Sequence, residues 1–485
     1  MITVFILYLL IVIGIAIWSA LKAKTKEDYI IGGKKIGGVS LALSERATGE
    51  SAWLILGLTG FAFTNGLSAI WVALGCVIGI IFIWLVMSNP LRLETEKSGA
   101  MTIPGILSRR FPGTEKSIGA LSSLIVVFFF LFYIAAQFSG AGKVFHDTFG
   151  LTPFWGMVIG AGIVTLYTVL GGFITVVATD VFQAILMIFT LIAMPVLLLF
   201  ILASNNISLS EQLITAGKQM TSLTGGAEGT AAIILVLNGL SWALGYTGQP
   251  QLLQRMMALR NAKDSATAQW VATLWTIIAY AGAILIGIAG FALIKGGVSG
   301  IDNAKVIADS EQIMPVLVVG LMQPILAGIL LSGAVSAMMS TASSELIVCS
   351  SSMSEDLYTT FSKKPMKGNR MLLFNKLLTL GVGVIAIVMV IFMEDTVYSL
   401  VSYAWAGIGS SFGPALLLLL FWKRFSRAGL YTSLICGTLG AIIWKTLLME
   451  PTGISERLGS FVFSFIMAVM ASLIWPEKKI QSQNA

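Results

Sequence analysis

The chain has 485 residues, of which 56% are hydrophobic and only 11% charged, with a formal net charge of +7. Soluble domains carry about a quarter charged residues, so a large water-soluble globule is excluded and the chain reads as an all-α, polytopic membrane protein. The three cysteines, Cys76, Cys349 and Cys436, lie far apart in apolar runs without a CxxC, and the single His146 builds no metal centre, so the cysteines read as packing residues.

A membrane helix needs about 20 apolar residues, and by that measure the sequence predicts about 13 transmembrane helices. The first, 2–20, has no basic residue before it and is as long as a membrane span, so it reads as a helix rather than a cleaved signal. The others fall at 38–64, 70–89, 118–142, 152–170, 176–203, 230–254, 267–294, 315–346, 372–393, 396–421, 428–447 and 458–476. The longest loops, 204–229 and 347–371, are too short to bury a core of their own. Residues 1–485 therefore read as a single transmembrane domain.

An odd number of spans puts the termini on opposite sides. With the N-terminus outside, 22 of the 30 Lys and Arg residues fall in cytoplasmic loops, among them Lys22, Lys24, Arg255, Lys367, Lys478 and Lys479. Five fall outside: Lys143, Lys218, Lys295, Lys305 and Arg457. The positive-inside rule thus predicts an outside N-terminus and a cytoplasmic C-terminus in a plasma (inner) membrane. The positive charge is a topology signal, and nucleic acid is excluded as a partner. The partners implied are the lipid bilayer and a small molecule; the sequence sets no oligomeric state.

Ionisable groups inside a bilayer are expensive and mark functional candidates. Here they are Glu45, Arg46, Glu50, Asp180 and Glu345. Arg46 and Glu50 are four residues apart, the spacing of a helical ion pair. The second span also holds Thr48, Gly49 and Ser51 near its middle, residues that loosen a helix. A break there frees carbonyls for a cation, and the amides near Ser51–Trp53 sit at the positive end of a half-helix facing a carboxylate. The seventh span, with NGLSWALGYTGQPQLLQR, carries Gly239, Gly245, Gly248 and Pro250 beside the pair Trp242 and Tyr246. Spans two and seven are five apart and run in opposite directions, the spacing of an inverted repeat. In the ninth span Ser340, Ser343 and Ser344 share a face, with Thr341 adjacent and Ser336 one turn before. Such hydroxyls either let helices pack closely or supply oxygen ligands to a hard cation.

The motifs DYIIGGKKIGG (28–38), LYTVLGGFITVVATDVFQAILMI (166–188), GLSWALGYTGQP (239–250), MSTASSELIVCSSSMSEDLY (339–358) and LVSYAWAGIGSSFGP (400–414) resemble those of the solute:sodium symporter family, most closely its sodium/proline symporters. The resemblance implies a leucine-transporter-type 5+5 inverted repeat, with 38–203 and 230–421 as the repeats. The segment 2–20 is then an extra N-terminal helix and 428–476 two C-terminal helices. It implies sodium as the coupling ion and a main sodium site from the carbonyls of Ala47, Glu50 and Ala337 with the hydroxyls of Ser340 and Thr341. Asp180, Ser340, Ser343 and Ser344 match a second sodium site found in some members. The implied substrate pocket is Ser51, Ala52, Trp53, Tyr133, Trp242, Gly245 and Tyr246. The chain departs from proline symporters in that they have an aspartate where Gly49 stands and an apolar residue at Glu50. They also have small uncharged residues at Glu45 and Arg46.

The function this implies is secondary active symport, with inward sodium movement driving import of a small solute, L-proline first, by alternating access. Another small amino acid or carboxylate, or proton coupling through Glu50, fits the same fold. A ligand sensor on a transporter fold would want a cytoplasmic output domain, and none follows Pro476. A membrane enzyme would want a nucleophile–base set, and an ATP-driven pump a GxxxxGK[ST] loop. The expectation is therefore a transporter, not an enzyme, with no catalytic residues.

Overall fold

The computed structural model describes residues 1–21, 25–364, 366, 368–392 and 395–477. Lys22, Lys24, Lys367, Lys478 and Lys479, counted above among the cytoplasmic bases, lie outside the described residues. The principal helices are α1 (Ile2–Ala20), α2 (Gly38–Ala52), α3 (Ile70–Phe82), α4 (Glu115–Phe149), α5 (Pro153–Ser204), α6 (Gly229–Leu240) and α7 (Trp242–Tyr246). They continue as α8 (Pro250–Met257), α9 (Ala262–Lys295), α10 (Pro324–Ser351), α11 (Asn369–Ile391), α12 (Val397–Phe421), α13 (Arg427–Ile443) and α14 (Glu456–Ile474).

The first helix shows how the bilayer acts as solvent. Phe5, Tyr8, Val12, Ala16 and Ser19 form one buried stripe, while Ile6, Leu7, Leu10 and Ile17 on the other faces are exposed yet equally apolar. A helix apolar all round needs a membrane on its outer side. The buried stripe packs on α5 and α10.

Among the described residues, 11 helices are long and apolar enough to cross a membrane, rather than thirteen. The difference lies in two pairs of expected spans that run together, as Gly38–Ser98 (61 residues) and Pro153–Ser204 (52 residues). A straight helix of 61 residues would extend about 90 Å, three times a bilayer core. Each long stretch is instead interrupted by a glycine in a backbone region closed to other residues: Gly66 (φ 56, ψ −135) and Gly172 (φ 63, ψ −148). In keeping with such a bend, α9 packs against α2 and α3 alike.

The ninth span also differs from expectation. Its predicted start at 315 belongs to a separate short helix, Ile313–Leu321, and α10 begins afresh at Pro324 because Gln323 is extended (φ −61, ψ 148). At the other end the predicted loop from 347 is helical to Phe361, with Ser350 and Ser351 bonding back to the carbonyl of Ile347. This lengthened α10 is buried along most of its course and packs against α1, α2, α4 and α5. The central positions of α10 and α12 are what bring the two interrupted helices together.

Candidate functional site

The second span breaks where its small polar residues stand. Ser51 has φ 29 and ψ −177, a left-handed value that costs a non-glycine residue about 1–3 kcal/mol. Six π-helical residues, Trp53–Leu58, and a further helical segment, Thr59–Asn65, follow. Around the break two amides and one carbonyl have side-chain partners. The Ala52 amide donates to Gln137 Oε1 of α4 at 2.8 Å, and the Trp53 amide to Ser51 Oγ at 3.1 Å. Both amides expected to face a solute carboxylate are thus already capped by side chains. On the carbonyl side, Thr341 Oγ1 donates to Thr48 O at 2.8 Å and to Ala337 O at 3.0 Å. The Ser340 hydroxyl beside it is fully buried and makes no hydrogen bond. A buried oxygen left over next to shared carbonyls is chemically suited to a hard monovalent cation. The Thr341–Thr48 bond joins α10 to α2 at the carbonyl of Thr48, which lies between Ala47 and Glu50, the two residues whose carbonyls were expected to face the ion.

One turn further along α10 the expected second ion site contains a guanidinium. Arg255 Nη2 lies 3.2 Å from Asp180 Oδ2, 2.5 Å from Ser344 Oγ and 3.0 Å from Thr48 Oγ1, while its Nε donates to Ser44 Oγ at 3.1 Å. Ser44 Oγ in turn donates to Asp180 Oδ2 at 2.6 Å, and Ser343 Oγ to Ser340 O at 2.9 Å. Arg255 was expected in a cytoplasmic loop; it is fully buried. The reason is the break in the seventh span, where Gln249 is extended (φ −77, ψ 104) and Pro250 restarts the chain as α8. That restart turns the end of the segment inward. The charge pattern alone read Arg255 as a loop base because periodicity does not report the turn.

The expected pocket residues converge on an aromatic cluster. The Trp53 and Trp242 rings lie 4.2 Å apart, and Tyr398 stands within 5.9 Å of Trp53 and 5.8 Å of Trp242. Tyr133 reaches Ser51 Oγ at 3.4 Å, and Tyr246 shares a 2.9 Å hydrogen bond with Tyr280. At Gly245 a Cβ would stand 2.1 Å from the Trp405 ring, so only glycine admits this contact. Gln137, Tyr280, Tyr398 and Trp405 were not foreseen. Trp405 lies inside the quoted motif SYAWAGIG, whereas the other three stand in segments with no local signal.

The charges at the head of the break form a closed set. Arg46 donates through Nε to Glu45 Oε2 at 2.6 Å and through Nη2 to Glu45 Oε1. Its Nη1 serves Glu50 Oε1 and Thr276 Oγ1, both at 3.2 Å, and Trp84 Nε1 adds a 2.9 Å bond to Glu45. Arg46 and both carboxylates are fully buried, so the fixed positive charge near the break is compensated on the spot. Glu50 Oε2 keeps no partner, and neither oxygen of Glu345 has one.

Comparison with known proteins agrees with this architecture: the description of the Sodium:solute symporter family matches residues 29–437. The chain belongs to the sodium:solute symporter family. Similar relatives include the osmoregulated proline transporter OpuE of Bacillus subtilis (strain 168), 33% identical over 461 residues, covering 94% of this chain and 91% of OpuE. The sodium/proline symporter of Escherichia coli (strain K12) is 34% identical over 479 residues, covering 98% and 93%. Among solved structures, a Na+-coupled sialic acid symporter in its substrate-bound outward-open state superposes with TM-score 0.80 at 18% identity, over 99% of this chain and 98% of that one. MhsT in complex with L-phenylalanine gives 0.53 at 15% identity, over 90% and 97%. The symporter fold is thus the leucine-transporter-type inverted repeat, carried by a multi-pass membrane protein.

Proposed function

We propose that this symporter imports a small solute, L-proline first, driven by sodium moving inward through alternating access. The observation that carries the ion is the unpartnered Ser340 hydroxyl, buried beside Thr341, Ala337 and the break in α2. The proline assignment draws on the sodium/proline symporters among the relatives and on the compact aromatic pocket of Ser51, Ala52, Trp53, Tyr133, Trp242, Gly245 and Tyr246, apolar with few polar groups. The repeats are taken as 38–203 and 230–421, with 2–20 and 428–476 outside them. The 22-to-5 division of basic residues favours an outside N-terminus and a cytoplasmic C-terminus in the plasma (inner) membrane. We assign one sodium to the main site. A second at Asp180, Ser340, Ser343 and Ser344 requires Arg255 to withdraw first. Transport, and no catalysis, is the activity assigned.

Proteoliposomes test this directly. Labelled proline uptake under an inward sodium gradient is expected to exceed uptake without sodium, and Ser340→Ala or Thr341→Ala is expected to reduce the sodium-driven rate at least tenfold. Equal uptake with and without sodium would remove the ion assignment. Proline uptake driven by a proton gradient alone would favour a second reading, suggested by the unpartnered Oε2 of buried Glu50, in which that carboxyl carries the proton. No proline uptake under either gradient directs the search to other small amino acids and carboxylates.

A further inference from the structure

Among the described residues, every buried carboxylate but one is bonded to a fixed partner. Arg46 serves Glu45 and Glu50, Arg255 serves Asp180, and Arg457 serves Glu456. Lysines hold Asp28 and Glu311, and Asp356 is held by the hydroxyls of Thr102 and Ser352. Glu345 alone, fully buried in α10, leaves both oxygens without a hydrogen bond. An ionised carboxylate is costly in such surroundings without a counter-charge, and the buried arginines are engaged elsewhere. A carboxylate there calls for a mobile cation, and its position on α10 indicates which.

Thr341, Glu345 and Ser352 lie on one face of α10 and its continuation. By helical rise, Glu345 stands about 6 Å beyond Thr341 and Ser352 about 10 Å beyond Glu345. In the orientation proposed above, this row runs from the main ion site toward the cytoplasm. At its far end Ser352 borders a cleft of about 10 Å³, also lined by Thr102, Pro104, Pro250, Gln254 and Val348, with room for at most one water. Gln254 is buried there; its Nε2 donates to Ile30 O at 2.7 Å, and its Oε1 has no donor. Two sets of unpartnered acceptor oxygens, the Glu345 carboxylate and then Gln254 Oε1, thus follow one another beyond the ion site. Oxygens of this kind suit a hard cation. Asp180, the other carboxylate beside α10, is taken by Arg255.

We propose that Glu345 is a transient sodium station on the cytoplasmic side of the main site. The ion leaving Ser340 and Thr341 passes to the Glu345 carboxylate, and from there to Gln254 Oε1 as the cleft at Ser352 widens. The proposal rests on the sodium reading above and adds a release route to it. Glu345 then governs how the ion leaves and rebinds from the inside, while capture from the outside stays with the main site.

The test separates the two faces. Right-side-out membrane vesicles take up labelled L-proline under an inward sodium gradient while sodium in the lumen, the cytoplasmic face, is raised. Lumenal sodium is expected to slow wild-type uptake. Glu345→Gln is expected to need at least fivefold more lumenal sodium for the same inhibition, with half-saturating external sodium changed less than twofold. Thr341→Ala is expected to shift the external value instead. Thermal melting establishes that the Gln variant is folded; if it is not, Glu345→Asp carries the test, with an expected shift in lumenal sodium of twofold or more. A folded variant that responds to lumenal sodium as the wild type does, or whose defect is confined to the external face, overturns the station and leaves symport standing. A second reading needs no transported solute: the infrared difference between reconstituted protein in sodium and in choline. A carboxylate band that Glu345→Gln removes and Glu345→Asp retains supports the station, and a spectrum indifferent to Glu345→Gln overturns it. Such a band without sodium-driven uptake would refute proline symport and leave the station. Neither uptake nor a sodium-dependent spectrum in the wild type would refute both.

Discussion

At the scale of single residues, Arg46 makes the clearest case for how a buried charge is kept. It lies inside a fully buried set with Glu45, Glu50, Thr276 and Trp84, so its removal leaves two carboxylates without their cation. Breaking a buried pair by deleting one partner costs about 3–5 kcal/mol, whereas neutralising every member together is often tolerated. Arg46→Met is therefore expected to lower the melting temperature sharply, and the triple change Glu45→Gln, Arg46→Met, Glu50→Gln to regain most of that loss. Thermal unfolding of the purified variants measures both. If the single variant melts like the wild type, the set is not what holds the charges. The i, i+4 pairing of Arg46 with Glu50 was legible in the sequence. Its stronger pairing with Glu45 was not, because neighbours in sequence do not face each other on a regular helix.

At the scale of elements, both interruptions were legible from composition, but only one of their consequences was. Ser51 and the Thr247–Gln249 segment fall where small polar residues and Pro250 interrupt apolar runs. What composition did not reveal is that the two broken elements meet under α12, with Trp405 seated directly against Gly245. A methyl there overlaps the indole, and overpacking of this kind costs about 1–3 kcal/mol. Gly245→Ala is expected to raise KM for the transported solute several-fold and to lower the melting temperature, with Gly245→Val worse on both counts. Kinetics of uptake alongside thermal unfolding check this; unchanged KM in a folded Gly245→Ala variant would detach Trp405 from the pocket. Span-length counting separates 38–64 from 70–89, and the backbone turns between them at Gly66, with helical structure running up to either side of the turn.

At the scale of the whole molecule, Arg255 links three parts of the chain: α8 through its own backbone, α5 through Asp180, and α10 through Ser344. The hydroxyls of Ser44 and Thr48 on α2 complete the cluster. Asp180 was readable as a membrane carboxylate in need of a cation, and the serines of α10 as its neighbours. That the cation comes from the protein required knowing how the seventh span folds back after Pro250. Arg255→Gln is expected to cost about 3–5 kcal/mol by leaving Asp180 unpaired, and the double variant Arg255→Gln, Asp180→Asn to recover a large part. Denaturation of both variants, compared with Asp180→Asn alone, gives the coupling between them, and additive losses would show the two act separately.

This pairing has an electrical consequence. A lone elementary charge moved across a membrane exchanges about 2.3 kcal/mol with every 100 mV of potential, so a bare Asp180 would tie the return stroke of an unloaded carrier to the voltage. Bound to Arg255, the aspartate and its counter-ion move as a dipole with no net charge, and the counter-ion cannot diffuse away. In the proposed symport cycle this cluster therefore draws little work from the membrane potential, and the voltage dependence falls to the ion assigned to enter with the solute.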